Sequence, residues 1–192
     1  MNSITHIAGL IEADSWRMEV LYAVQQLNLP DWAIGAGFVR SAVWDAITGN
    51  KNRTPLNDID VLHLNTDDTR KSADKELEKQ LNDQFPGIAG ANWSVKNQAR
   101  MHIQNHDRPY LNTEDAISNW LEVTSCIGAR LRPDLGVDII APYGIEDLLN
   151  MRVRPTFRGK QKPDQYNLYL SKKNWPLLWP KVDIERLEAE LV

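Results

Sequence analysis

Apolar side chains in the first thirty residues recur at helical spacing, as Ile7, Leu10 and Ile11 and then as Met18, Leu21 and Tyr22. This predicts two helices with Asp14 as a cap between them and Pro30 beyond the second. A short apolar run, Trp32 to Ile34, stops at Gly35-Ala36-Gly37, and Phe38 to Ile47 returns to helical spacing before Gly49-Asn50. The order is strand, glycine turn, helix. Asp58 to Leu64 (DIDVLHL) reads as a second strand, and a charged helix over Asp68 to Gln84 follows it, ended by Pro86-Gly87. Trp93 to Ile103 (WSVKNQARMHI) alternates in places like a strand, and Thr113-Glu114-Asp115 opens a short helix towards Trp120. Val123 to Leu131 and Val137 to Ile140 flank a turn former, Arg132-Pro133-Asp134-Leu135-Gly136, and predict a hairpin. Strands interleaved with helices, plus one hairpin, predict an α/β (α+β) fold with a mixed sheet flanked by helices.

A length of 192 residues fits a single domain over 1–192, with N-terminal helices over residues 1–30 and a C-terminal extension over 151–192. No apolar run approaches the roughly 20 residues that a bilayer requires. The N-terminus has neither the positive start nor the unbroken apolar stretch of a signal peptide, so a cytoplasmic protein without a membrane partner is expected. Cys126 is the single cysteine, which leaves metal chemistry to oxygen and nitrogen ligands. The net charge of −4 hides an asymmetry: residues 1–150 hold 13 Lys and Arg against 21 Asp and Glu, and residues 151–192 hold 9 against 5. Met151 to Pro180 is the densest basic stretch, with Asp164 its only acid. Such a stretch can face a polyanion; the favoured reading is a solvated extension with Trp175 and Trp179 folded onto the core.

Asp58 and Asp60 stand two apart on a predicted strand, so both carboxylates leave one face, about 6–7 Å apart along the backbone. That pair suits a hard cation such as Mg²⁺, which usually takes one or two protein carboxylates together with water and substrate phosphates. A bare Asp-x-Asp is more often a solvated strand start. The upstream Gly35-Ala36-Gly37, between a strand and a helix, changes the balance, because bare backbone and a helix N-terminus offer N–H donors to phosphate. A dinucleotide-binding fingerprint is the rival, and it fits badly: its third glycine is Arg40 here, and the acids open their strand rather than end it.

IGAGFVRSAVWD followed by NDIDVLHL resembles the signature of the DNA-polymerase-beta-like nucleotidyltransferases, and the chain is closer still to a small bacterial branch of that superfamily. Further segments of the resemblance are WSVKNQARMH, WLEVTSCIGARL and APYGIEDLLNMRVRPT, so that it spans about Trp32 to Thr156. It implies a metal-dependent transfer of a nucleoside monophosphate from a nucleoside triphosphate, with Mg²⁺ or Mn²⁺ as cofactor and Asp58 and Asp60 as its ligands. Gly35 and Gly37 fall on the turn that admits the nucleotide phosphates. Ala36-Gly37 stands where many relatives have Gly-Ser, so backbone N–H groups must serve in place of a serine hydroxyl. Relatives often carry a third carboxylate on a later strand; Glu122 and Asp138 are the candidates, with Glu122 taken as the catalytic one.

On a strand, Lys96, Gln98, Arg100 and His102 would share one face, a row of bases able to hold a triphosphate or an acceptor. A solvated face is equally open from the residues alone; the resemblance favours the functional one and implies Gly35, Ala36, Gly37, Arg40, Lys96, Asn97 and Arg100 as nucleotide-binding residues. His63 and His102 have no metal-ligand spacing, and Trp16, Trp44 and Trp120 suit a core. The acceptor is open between RNA, protein and a small molecule. A catalytically inactive nucleotide- or RNA-binding module of the same fold is the alternative.

Overall fold

The computed structural model describes residues 3–86, 88 and 92–188. It opens with α1 (Ile4–Glu12) and α2 (Ser15–Gln25), each started by a side-chain cap: Ser3 accepts from the His6 N–H and Asp14 from the Arg17 N–H. β1 (Ala33–Gly35), α3 (Gly37–Thr48), β2 (Asp58–His63), α4 (Lys71–Gln84), β3 (Asn92–Asn97), α5 (Gln98–Asn105) and α6 (Thr113–Ser118) follow. A single 3-10 turn at Val123–Ser125 leads into β4 (Gly128–Leu131), β5 (Val137–Ile140) and α7 (Glu146–Leu149). The last segment holds β6 (Arg152–Val153), α8 (Phe157–Gln161), α9 (Pro163–Ser171), α10 (Trp175–Leu178) and β7 (Asp183–Ile184). Pro86 comes two residues after α4; Gly87, the other half of the predicted stop, lies outside the described residues.

Five strands make one sheet in the order β3-β2-β1-β4-β5. β2 and β3 are parallel, joined by α4 as crossover, and the other neighbours are antiparallel, which gives the expected mixed sheet. Burial explains the strand sequences. All three residues of central β1 are buried, and β2 begins with exposed Asp58 before burying Ile59, Val61 and Leu62. The main core includes Ile7 and Ile11 of α1, Leu21 of α2 and Phe38, Val43 and Trp44 of α3, packed with Ile34, Ile59 and Val61 of the sheet. A smaller cluster, Ala33, Leu62, Ile117, Cys126 and Ile140, brings in α6. Among the described residues no helix is long and apolar enough to cross a membrane.

The strand expected over Trp93 to Ile103 holds only as far as Asn97. There the side chain caps a helix: Oδ1 accepts from the Ala99 N–H at 3.0 Å, and Nδ2 donates to the carbonyls of Asn65 and Asp68. Good helix formers follow in Gln98-Ala99-Arg100-Met101, so Lys96, Gln98, Arg100 and His102 do not share a strand face.

Trp175 and Trp179 are both buried, and each meets Trp44 edge to face, with ring centroids 5.6 and 5.0 Å apart. Asp45 of α3 fastens the same region. Its carboxylate accepts from Asn50, from the Thr54 N–H and hydroxyl, and from Trp179 Nε1. One buried acid thus fixes α3, the loop that leads into β2, and the end of α10.

Candidate active site

The antiparallel ladder pairs Ala33 with Leu62 and Ile34 with Val61, so the turn after β1 lies beside the start of β2. Ala36 and Gly37 of the turn and Asp58 and Asp60 of the strand line one cleft of about 680 Å³. Ala36 is the N-cap of α3, adopts φ 49 and ψ −114, and brings no side-chain hydrogen bond to the helix. The start of α3, with Gly37 in the cleft wall, therefore has no side-chain cap at the positive end of the helix dipole. Ala36 itself is held there by its N–H, which donates to the Ile127 carbonyl at 2.8 Å. Its positive φ with that ψ is glycine territory, so the alanine carries backbone strain. Ala36→Gly is expected to raise stability by about 1 kcal/mol, and a melting curve should move up by about 3 °C.

The two glycines of the turn differ. A Cβ on Gly37 would find ordinary contacts of 3.6 Å, to Arg40 Nη2 and Leu56 Cδ2. On Gly35 it would meet Trp120 Cη2 at 2.6 Å and Leu62 Cδ1 at 2.8 Å. Gly35 is thus a buried glycine that lets Trp120 pack over β1, whereas Ala36 and Gly37 reach the cleft.

Asp60 is pushed up to about 6, first by burial and then by the neighbouring Asp58 charge; Lys173, a hydrogen bond from Ser94 and Lys96 pull it partly back. Ser94 stands opposite Asp60 in the parallel ladder. At neutral pH two carboxylates therefore crowd one partly desolvated spot with too little positive charge around them. Among the described residues no group of three or more His, Cys, Asp or Glu side chains is placed to hold a metal ion.

The other expected residues divide. Lys96 reaches the cleft with a half-exposed side chain, its Nζ 3.6 Å from Glu78. Arg40 is 6% exposed and lines the cleft too; its Nη1 donates to Ser125 Oγ at 2.5 Å, and its guanidinium lies over the rings of Trp44 and Trp175. Arg100 does not enter the cleft, because as an α5 residue it pairs with buried Asp74. Asn97 is spent as the cap of α5. Glu122 borders the cleft but is 1% exposed: Oε2 accepts from the Thr124 N–H and hydroxyl, while Oε1 has no hydrogen bond and sits 3.8 Å from Arg40. Asp138, on edge strand β5, pairs with Arg130 and is away from the cleft. His63 is buried, and His102 lies edge-on to Tyr110.

Several lining residues were not expected. Gln98, Met101 and Asn105 line the cleft from one face of α5, at the i, i+3, i+7 spacing of a helix. Trp120 lies beyond α6, half-buried in the cleft wall rather than in the core. The opposite wall comes from the basic C-terminal segment, with Arg158, Tyr169, Lys172 and Lys173. The segment whose tryptophans pack on Trp44 thus also turns cations towards the acids.

A family model described as nucleotidyltransferase matches residues 22–184. A comparison with curated proteins finds no match. Among solved structures, the chain is similar to a protein whose NMR structure is described as revealing a CCA-adding enzyme head domain, at 30% identity and a TM-score of 0.84, over 97% of this chain and 98% of that one. That likeness covers the whole sheet with its helices, and the family match contains the turn, both strand acids and the cationic wall. The chain belongs to the nucleotidyltransferase family, with the polymerase-beta-like fold that its turn and acidic strand had suggested.

Proposed function

We propose that the cleft moves a nucleoside monophosphate from a nucleoside triphosphate to an acceptor hydroxyl, releasing pyrophosphate, with Mg²⁺ or Mn²⁺ held by Asp58 and Asp60. The observation that carries this is the crowding of the two carboxylates, which raises Asp60 to about 6 beside an uncapped helix start. The donor set fits such a cation, since two carboxylates suffice for an ion that takes its remaining ligands from water and substrate phosphates. When bound, the ion would neutralise phosphate charge and polarise the phosphorus–oxygen bonds.

The chain's own residues would do the positioning. The N–H groups at the start of α3 donate to phosphate oxygens, and Gly37 leaves room for that approach. Arg40, held by Ser125 and stacked on two tryptophans, adds a fixed cation beside them. Cys126 is no nucleophile: it is buried, and burial followed by Glu122 pushes its thiol well above the ordinary range. The proposed transfer is therefore direct, with no intermediate on Cys126.

Incubation with α-labelled and, separately, γ-labelled nucleoside triphosphates and a cell extract tests the reading. Label should reach an acceptor from the α position alone, and chelation of divalent ions should stop it. Transfer of γ label would make the protein a phosphoryl transferase instead. One observation keeps a second reading in view, a module that binds RNA without transfer: the basic wall supplied by the C-terminal segment. Binding of that kind weakens steeply with salt and needs no divalent ion.

A further inference from the structure

We infer that Lys173, between α9 and α10, receives the β- and γ-phosphates of the nucleotide, so that the C-terminal segment is part of the substrate site; this rests on the nucleotide reading above. Of the other cations that line the cleft, Lys172 is exposed, whereas Lys173 is partly buried, and Arg40 lies 3.8 Å from Glu122. Arg158 pairs with Asp107, and Lys96 lies near Glu78. Among the described residues no carboxylate forms an ion pair with Lys173. Its ammonium instead rests 4.3 Å from the centre of the Tyr169 ring and 5.7 Å from that of Trp175.

Lys173 shares its surroundings with a second cation. Tyr169 and Trp175 meet edge to face, with centroids 6.1 Å apart. Lys173 stands over the first and the Arg40 guanidinium 4.3 Å over the second. Two like charges on adjoining rings repel each other, and Glu122, the carboxylate nearest Arg40, is buried and 3.8 Å away. Arg40 Nε, also buried, has no hydrogen-bond partner. Burial, followed by the Arg40 charge, lowers the affinity of Lys173 for its proton, and Asp58 and Asp60 raise it, so the lysine is within electrostatic reach of both acids. A polyanion between Arg40 and Lys173, adjoining the acids, would relieve the repulsion. The β- and γ-phosphates are the most highly charged part of a nucleoside triphosphate and become the pyrophosphate that leaves. Local geometry supports a fixed position: the Lys173 N–H donates to the Leu170 carbonyl at 3.0 Å, and the Tyr169 hydroxyl is 3.2 Å from Ser125 Oγ.

The test compares ligands that differ only in these phosphates. Calorimetric binding of a nucleoside triphosphate, the matching monophosphate and inorganic pyrophosphate, each with Mg²⁺, is measured for wild type, Lys173→Met, Lys173→Gln, Lys173→Arg and the exposed control Lys181→Ala. Methionine keeps an unbranched stem on the Tyr169 ring, and glutamine gives a second neutral side chain. Either neutral variant should weaken triphosphate and pyrophosphate binding by about tenfold or more, the usual worth of a charge-assisted contact. Monophosphate binding should stay within about twofold, arginine should restore most of the loss, and Lys181→Ala should match wild type. Equal losses for monophosphate and triphosphate, or no loss for either neutral variant, would overturn the assignment while wild-type binding upheld the nucleotide reading. Failure of wild type to bind triphosphate would overturn both, and failure to bind pyrophosphate alone would overturn only the assignment of Lys173.

Discussion

Asp58→Asn and Asp60→Asn are each expected to lower nucleotidyl transfer by at least about a hundredfold, and Asp60→Asn should at the same time make the metal-free protein more stable at neutral pH. Both halves follow from one arrangement. Asp60 is raised to about 6, first by burial and then by Asp58, so the folded protein binds its proton more tightly than the unfolded chain does. A group raised in this way contributes fully below its unfolded value near 3.8, and its contribution is lost as pH rises through about 6. Above that, the ionised carboxylate opposes folding by up to about 3 kcal/mol, at 1.36 kcal/mol for each pKa unit. Asparagine has nearly the same shape and no charge. Without divalent ions its melting temperature should match wild type near pH 4 and exceed it by several degrees at about pH 7.5. Circular dichroism beside the transfer assay checks both halves. A stable, inactive Asp60→Asn supports the site, whereas normal turnover by both variants would remove it from the chemistry.

Arg100→Ala is expected to damage the fold, and Lys96→Ala the binding of nucleotide, although the two stand four residues apart. Arg100 pairs with Asp74, which is 2% exposed; the other Asp74 oxygen accepts from the Asn97 N–H and lies 3.9 Å from His63 Nε2. Burial, followed by the Arg100 charge, lowers His63 to about 4, so in the intact protein the imidazole beside Asp74 is neutral at physiological pH. Removing Arg100 leaves a buried carboxylate without its cation, at a cost of about 3 kcal/mol or more in a denaturant melt. Lys96 is half-exposed, and its pairing with Glu78 at 3.6 Å contributes little. Its removal should change stability by less than about 0.5 kcal/mol while raising the nucleotide Kd. The reverse ranking would contradict this division of Arg100 to the fold and Lys96 to the site.

That pair shows where local pattern stops informing. The start of β2 was legible because an apolar run opened by two acids fits a buried strand with a solvated mouth and little else. The turn after β1 was legible because glycines between a strand and a helix mark a sharp change of direction. WSVKNQARMHI carries two patterns in succession, alternation and then helical spacing, and the boundary lies at an asparagine whose capping role depends on carbonyls more than twenty residues upstream. The signal available was Asn97 followed by four good helix formers. Ala36 held another: it stands between two glycines in a sharp turn, where its φ of 49° is one that an alanine adopts only under strain. Lys173 had no local signal. Its place in the cleft depends on Trp175 and Trp179 packing against Trp44, a contact across more than 130 residues, and no periodicity within residues 151–192 encodes it. The same contact explains why a basic, proline-rich stretch that reads as a solvated extension forms a wall of the site. Glu122 sat at a plausible position for a third acid, yet its side chain caps the 3-10 turn that precedes β4.

The most direct measurement of the central claim is linkage between Mn²⁺ and nucleotide binding, followed by manganese resonance and by calorimetry in wild type and in Asp58→Asn and Asp60→Asn. If the two carboxylates and the substrate phosphates hold the ion together, nucleoside triphosphate should tighten Mn²⁺ binding and Mn²⁺ should tighten nucleotide binding by the same factor. Both asparagine variants should lose that coupling while remaining folded. Nucleotide that binds equally well with and without Mn²⁺, in wild type and variants alike, would contradict the account.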